Sequence, residues 1–270
     1  MQNKIIYITG GASGMGLLTA CELMKRGAHI VIFNRQADAA LVAVQKIEQM
    51  RCSAQQKIAS YLLDVAERDQ VLAVFEQAAG AIGAPDIVIN MAGIGGVATM
   101  LDMGYAMFDR IMKINVYGTR NVVEAALKTM RPRRTGQIVL AGSLGGMVPV
   151  YGYTAYGTSK FAVLGFAQCL RYELKPLGID VVCFCPGEVA TPGLAAEREH
   201  THPATVAMKF IGGTIAAEHA VSALISGIQR GKFLIIPGLR NKLVHWAVRV
   251  TPTSLWNVIT DAIVARAVRT

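Results

Sequence analysis

The sequence predicts an α/β fold: a doubly wound parallel sheet of seven strands in three layers, a single domain with a helical C-terminal extension. Three observations predict it. Short β-branched runs alternate with helical stretches from the first residues onward. The runs are continuously apolar, as strands covered on both faces by helices must be. A glycine-rich turn stands directly behind the first run.

In order, KIIYIT is the first strand, ending at Thr9, and LLTACELMKR is a helix that stops at Gly27. HIVIF is the second strand, and a helix spans 38–50. KIASYLLDV is the third strand, and the helix over 67–82 carries Val71, Leu72, Phe75 and Ala78 on one apolar face. DIVIN is the fourth strand, followed by a long helix over roughly 105–130. QIVLAGS is the fifth strand, and a helix covers 155–176. IDVVCFC is the sixth strand. A helix over 216–230 leads to the seventh, KFLII. No linker or internal repeat divides the chain, so 1–238 reads as one domain and 239–270 as a basic amphipathic helical tail.

Of the 270 residues, 53% are hydrophobic, enough for a substantial core, and 17% are charged, a low share. The five cysteines are odd in number and lack a C-x-x-C, which predicts free buried thiols in a reducing, cytoplasmic setting and no metal site. Cys183 and Cys185 alternate in an apolar run and share one strand face. His200 and His202 sit in a loop with no cysteine partner. The start of the chain is too short in apolar residues for a signal peptide, and no run of 18 apolar residues reads as a membrane span. The net charge is +9, and more than half of the excess follows Gly231. Such a tail faces a negatively charged surface, and without a nucleic-acid module a lipid headgroup layer fits better.

Thr9 to Gly16 reads T-G-G-A-S-G-M-G. Glycines let the backbone turn tightly and approach a ligand. The helix that follows offers free N–H groups and a positive dipole end to a pyrophosphate. Strand, glycine turn and helix in this order is a Rossmann-type dinucleotide start, with G-x-x-x-G-x-G spacing in place of G-x-G-x-x-G. The second strand ends in Asn34 and Arg35, with no carboxylate before Asp38. An acidic residue there would bind the ribose 2′-hydroxyl, whereas arginine pairs with a 2′-phosphate, so NADP(H) is expected over NAD(H).

Tyr156 and Lys160 are one helical turn apart on a common face, and Ser143 ends the preceding strand. A cation beside a phenol favours the phenolate and lowers its pKa, and an acid works best with a pKa near the working pH. The chemistry expected is proton delivery to a carbonyl oxygen, or its reverse. A Y-x-x-x-K on its own is as readily a surface pair on an ordinary helix.

Together these motifs resemble the short-chain dehydrogenase/reductase family in its shorter, single-domain form, over about Lys4 to Gly238. Gly10, Ala12, Ser13, Gly14, Met15 and Gly16 match its cofactor turn. Asp64-Val65 matches the pair that meets the adenine. Asn90-Met91-Ala92-Gly93 resembles its N-N-A-G, with Met91 in place of the second asparagine. Asn115 matches its helix asparagine, and Ser143, Tyr156 and Lys160 its catalytic set. Pro186, Gly187, Val189 and Thr191 match the P-G-x-V-x-T that closes over the nicotinamide. The resemblance implies that Tyr156 is the proton donor and that Lys160 lowers its pKa and holds the nicotinamide ribose. It implies that Ser143 positions the carbonyl oxygen and that Asn115 supports a water linking Lys160 to solvent. It also implies a homodimer or homotetramer formed through the long helices.

Ile94, Val97, Met147, Val148, Val150 and Tyr151 flank the catalytic groups, and Leu194, Val206, Met208, Phe210 and Ile211 follow Thr191. Without an arginine cluster among them, an apolar ketone or its alcohol fits better than a charged metabolite. The segment TPGLAAEREHTHPATVAMKFIGG resembles the corresponding loop of 3-ketodihydrosphingosine reductases, which implies a lipid-like 3-keto substrate. A hydroxysteroid dehydrogenase and a 3-oxoacyl thioester reductase are the alternatives among enzymes, and a non-catalytic nucleotide sensor is the alternative of another class. In the tail, Leu243, Trp246 and Val250 form one apolar stripe, and Leu255, Val258, Ile259, Ala262 and Ile263 a second. With Lys242, Arg249 and Trp256 beside them, they fit peripheral membrane contact, a partner chain, or a lid over the pocket.

Overall fold

The computed structural model describes residues 1–191, 194 and 201–268. Pro192, Gly193, His200 and Arg269 lie outside the described residues, as does the acidic part of the loop after Thr191.

The central sheet has seven parallel strands in the order β3-β2-β1-β4-β5-β6-β9. These are β1 (Ile5–Thr9), β2 (His29–Asn34), β3 (Ile58–Leu62), β4 (Ile87–Asn90), β5 (Gly136–Ala141), β6 (Ile179–Phe184) and β9 (Leu234–Ile235). Alternate residues of each strand feed two cores. On one face Tyr7, Phe33 and Leu140 pack under α3 (Arg68–Ala81), α5 (Gly118–Arg133) and α6 (Thr154–Leu174). On the other, Ile6, Ile8, Ile30 and Val139 pack under α1 (Gly14–Met24), α2 (Ala37–Glu48) and α8 (Ala217–Gln229). The strand order reverses between β1 and β4, and in sheets of this kind the crevice outside the strand ends at that point receives ligands. The glycine turn after Thr9 and the Asn90–Gly93 segment both lie there, with Thr9 in register with Asn90.

Three features differ from the sequence expectation. The long helix is α4 (Tyr105–Met112) and α5 joined by a π-helical turn, Lys113–Tyr117. One extra residue in a helical turn is a local device that period analysis cannot see, and such turns recur at functional sites. A second, two-stranded sheet, β7 (Glu188–Ala190) with β8 (Thr214–Ala216), stands apart from the main one, with α7 (Pro203–Phe210) between them in the chain. Its strands are too short for a periodic signal. Finally, all five cysteines are free, but only Cys183 and Cys185 are buried; Cys52 and Cys169 are exposed.

The tail forms two helices, α9 (Leu239–Val250) and α10 (Thr253–Val268). Val244, Val248 and Trp256 pack against the first core. Among the described residues, no helix is long and apolar enough to cross a membrane.

Candidate active site

A cavity of about 670 Å³ runs from the end of β2, past the glycine turn and the start of α6, to the tail helices. That volume lies within the usual range for small-molecule sites.

The cofactor end is made mostly of backbone. Gly10 has φ +66°, and a Cβ there would stand 2.9 Å from the Ala92 nitrogen. A Cβ on Gly16 would collide with the Gly10 carbonyl oxygen. Gly14, with φ +49°, has open space where a side chain would be. Ser13 makes no side-chain cap on α1, which leaves the first-turn N–H groups facing the cavity for an anion. An open cradle at a helix N-terminus fits the pyrophosphate of a dinucleotide. Gly10, Ser13, Gly14, Met15, Gly16, Asn34, Arg35, Asp64, Val65, Ala92 and Gly93 all line this end. Ala12 does not; it is buried in the core beneath the turn. Exposed Arg35 and half-buried Asp64 form an ion pair at 3.8 Å on the rim.

Two other predicted residues stand behind the wall. Asn90 accepts from the Thr9 hydroxyl at 2.6 Å and donates to Thr119 at 2.9 Å, tying β1 to β4 and α5. The Ala92 N–H donates to the same Thr9 hydroxyl, and the Met91 N–H to the Thr9 carbonyl. The ladder is thus complete without an asparagine at position 91. Asn115, carried on the π turn, accepts from the Ile94 N–H at 2.9 Å and donates to the Ile94 carbonyl and to Ser159. Ser159 in turn donates to the Tyr156 carbonyl at 2.7 Å. Asn115 therefore clamps the 94 loop to the first turns of α6.

Ser143, Tyr156 and Lys160 come together on the cavity wall. The Lys160 ammonium stands 5.6 Å from the centre of the Tyr156 ring and donates to the Ala141 carbonyl at 2.9 Å. Burial pushes the lysine down to about 8, because a charged group loses its hydration there. Cys183 and Cys185, their sulfurs 3.5 Å apart, lie behind this site; their shared hydrogen bond lowers Cys183 and raises Cys185. Ser143 accepts from the Gly145 N–H at 3.1 Å, which orients its oxygen. Pro186, Gly187, Val189 and Thr191 line the cavity nearby, and the Leu144 N–H donates to the Pro186 carbonyl at 2.7 Å.

A model of the short chain dehydrogenase family matches residues 4–202. The chain belongs to this family. A short-chain dehydrogenase is an oxidoreductase that works with a nicotinamide dinucleotide, in keeping with the open cradle. Two relatives are named 3-ketodihydrosphingosine reductase. The one from Bos taurus is 32% identical over 84% of this chain and 69% of its own length. The one from Mus musculus is 35% identical over 72% of this chain and 59% of its own length. This short-chain dehydrogenase falls in their branch. A solved family structure from Burkholderia phymatum, in complex with NAD, shares the fold with a TM-score of 0.79 at 22% identity, covering 92% of each chain.

The substrate end of the short-chain dehydrogenase site differs more from expectation. Ile94, Val148, Val150, Leu194, Met208 and Ile211 line it. Met147 is buried in the core, and Val97 and Tyr151 lie off the cavity. Val206 and Phe210 point outward, 50% and 72% exposed, into a shallow surface hollow. The sequence missed Tyr153, Glu188 and Lys209, and from the tail Val244 and Thr260; Trp256, named there with a lid over the pocket as one alternative, is also on the wall. Asn241 is buried against the Gly187 backbone, where a Cβ would meet it at 2.6 Å. That close approach seats α9 on the Pro186–Gly187 segment of the cavity wall. The tail is therefore a wall of the site, and its two tryptophans part ways: Trp256 faces the cavity, while Trp246 is 64% exposed.

Proposed function

We propose that this chain reduces the carbonyl of a lipid-like 3-keto substrate to a secondary alcohol, reversibly, with NADP(H). One observation carries the reading: Tyr156, Lys160 and Ser143 share a single cavity with the glycine cradle at one end and an apolar wall at the other. The reduced nicotinamide supplies the hydride. Tyr156 donates its hydroxyl proton to the ketone oxygen, and Ser143 donates a hydrogen bond to the same atom. The Lys160 ammonium stabilises the phenolate left on Tyr156 and holds the nicotinamide ribose. Asn115 acts behind them, supporting the water that links Lys160 to solvent. Arg35, exposed on the rim at the end of β2, is the group that would pair with a 2′-phosphate. The relatives' names support the keto-lipid class. The test is a panel of 3-keto lipids, steroid ketones and 3-oxoacyl thioesters, each with NADPH and NADH. Long-chain ketones with NADPH are expected to turn over fastest. Faster turnover of steroids or thioesters would replace the substrate class, and dinucleotide binding without any turnover would leave a nucleotide sensor.

A lipid surface suits the outer side of the tail. Leu239, Leu243, Trp246 and Val250 line one face of α9, opposite the face that Asn241, Val244 and Val248 bury. Lys242 and Arg249 border one edge of that exposed stripe, and Leu255, Val258 and Ile259 are exposed on α10. Apolar side chains beside cations seat at an anionic interface, the long cationic stems reaching up to the headgroups. A two-fold pairing of copies through α9 would set these cations against each other. Flotation with phosphatidylglycerol-containing vesicles is expected, and Lys242→Glu with Arg249→Glu should abolish it. A dimer broken by those changes, with no flotation in the parent chain, would assign the face to a second copy. Exposed Tyr105, Tyr117 and Tyr172 on the α4–α6 helices offer a separate face for a homodimer or homotetramer.

A further inference from the structure

Five charged side chains line the cavity among the described residues. Arg35 and Asp64 belong to the cofactor rim, and Lys160 to the proton-transfer group. Glu188 and Lys209 remain, and they face each other at 2.8 Å with side chains only 9% and 12% exposed. Glu188 stands on β7 and Lys209 on α7, and Glu188 also accepts from the Thr214 hydroxyl on β8. The Lys209 ammonium lies 5.8 Å from the Tyr153 ring, whose centre is 5.0 Å from that of Tyr156. The pair is therefore one aromatic ring away from the proton donor.

Withdrawing two charges from water is costly, and an apolar pair of equal volume is often at least as stable. An ion pair in the wall of an otherwise apolar substrate end thus marks specificity better than it explains stability. A carboxylate accepts and an ammonium donates, so the pair presents both kinds of hydrogen-bonding group to the cavity.

We propose that Glu188 and Lys209 form a polar subsite that binds the amino alcohol head of the substrate. The inference rests on the keto-lipid reading above and deepens it. A ketone flanked by a carbon bearing an amine and then one bearing a hydroxyl presents two adjacent polar atoms beside the reacting oxygen. The substrate ammonium donates to the Glu188 carboxylate, and the Lys209 ammonium donates to the substrate hydroxyl oxygen. Positive and negative ends then alternate around the ring of contacts, which offsets the repulsion between the two ammonium groups. The carbon chain runs the other way, along Met208, Val244 and Trp256. No bond is made or broken at this subsite.

The test is equilibrium binding, which needs no turnover. A twelve-carbon 2-amino-1,3-diol and the same diol without the amine are titrated into the full chain by calorimetry. The amine-bearing diol is expected to bind at least about tenfold more tightly, the ratio for one charge-assisted hydrogen bond. Glu188→Gln should bring that ratio to near one. Because Glu188→Gln removes the counter-charge that faces the buried Lys209 ammonium, the double variant Glu188→Leu with Lys209→Met is measured as well; it too should lose the ratio while melting as a folded protein. Equal binding of the two diols by the parent chain, or a ratio that survives in the folded double variant, would overturn the subsite and leave the pair as a strut between α7 and the small sheet. Turnover of plain long-chain ketones without amine preference would sink the subsite alone. Amine preference lost in the variants, in a chain inactive on every ketone, would sink the catalytic reading alone.

Discussion

The two ends of the cavity are built differently. The cofactor end is assembled mostly from backbone within short, contiguous segments: the glycine turn from Gly10 to Gly16, Asn34-Arg35, Asp64-Val65 and Met91 to Gly93. The substrate end is assembled from side chains on segments far apart, among them Val148, Tyr153, Glu188, Met208, Lys209, Val244 and Trp256. The pyrophosphate is common to both nicotinamide dinucleotides, so a turn, a helix end and a few glycines suffice to hold it. A substrate must be told from its analogues, and only placed side chains can do that. The Tyr156–Lys160 pair sits at the join, on α6, whose start is held by Ser159 and Asn115.

That contrast can be broken at several points. The largest effect belongs to the join. Tyr156→Phe should lower kcat by roughly a hundred- to ten-thousand-fold, the usual range for losing a general acid, with dinucleotide affinity changed little. Near-normal turnover in stopped-flow NADPH oxidation would remove Tyr156 from the chemistry.

Next is the buried lysine. With Lys160 near 8 in the folded chain and 10.5 when unfolded, the unfolded state binds more protons between those values, so stability rises with pH across that window. Lys160→Met carries no such dependence. Its stability advantage from this source should therefore shrink by roughly 3 kcal/mol as pH rises from 8 to 10.5, at about 1.4 kcal/mol per pH unit. Parallel unfolding curves of parent and variant in urea at stepped pH would measure the gap, and a gap that does not move would show a lysine free to keep its water.

At the cofactor end, Arg35→Ala should cost roughly ten- to a hundred-fold in preference for NADPH over NADH, the worth of a charge-assisted contact. Affinities for both cofactors, measured by fluorescence titration, check it; an unchanged ratio would make Arg35 only a partner of Asp64. At the substrate end, Trp256→Ala should lower kcat/KM for long-chain ketones by about tenfold and leave dinucleotide affinity near its parent value, since truncating this half-buried side chain removes apolar contact at one end of the cavity only. A loss of dinucleotide affinity instead would mean that α10 supports both ends.

Much of the fold was readable from residue order. Seven apolar runs in alternation with helices become seven parallel strands, and the strand-glycine-helix start lies at the crossover where the strand order reverses. These features rest on local rules: β-branched runs extend, glycine takes positive φ at Gly10 and Gly14, and a residue four places on shares a helix face. Tyr156 and Lys160 meet for the last of those reasons. The π turn under Asn115 and the sheet of β7 with β8 were not readable, because one is a single-residue irregularity and the other has strands of three residues.

The chain's own order thus determined the layered sheet, the nucleotide cradle and the tyrosine–lysine pair, since each depends on neighbours a few residues apart. Folding in three dimensions decided the rest. Trp246 and Trp256 are chemically identical and both lie on tail helices, yet the packing of α9 and α10 on the core turns one outward and the other onto the cavity. Glu188 and Lys209, distant in the chain, meet only because β7 pairs with β8 and brings α7 back against it. Side-chain walls are long-range contacts, and burial, which selects among them, is a property of the folded whole.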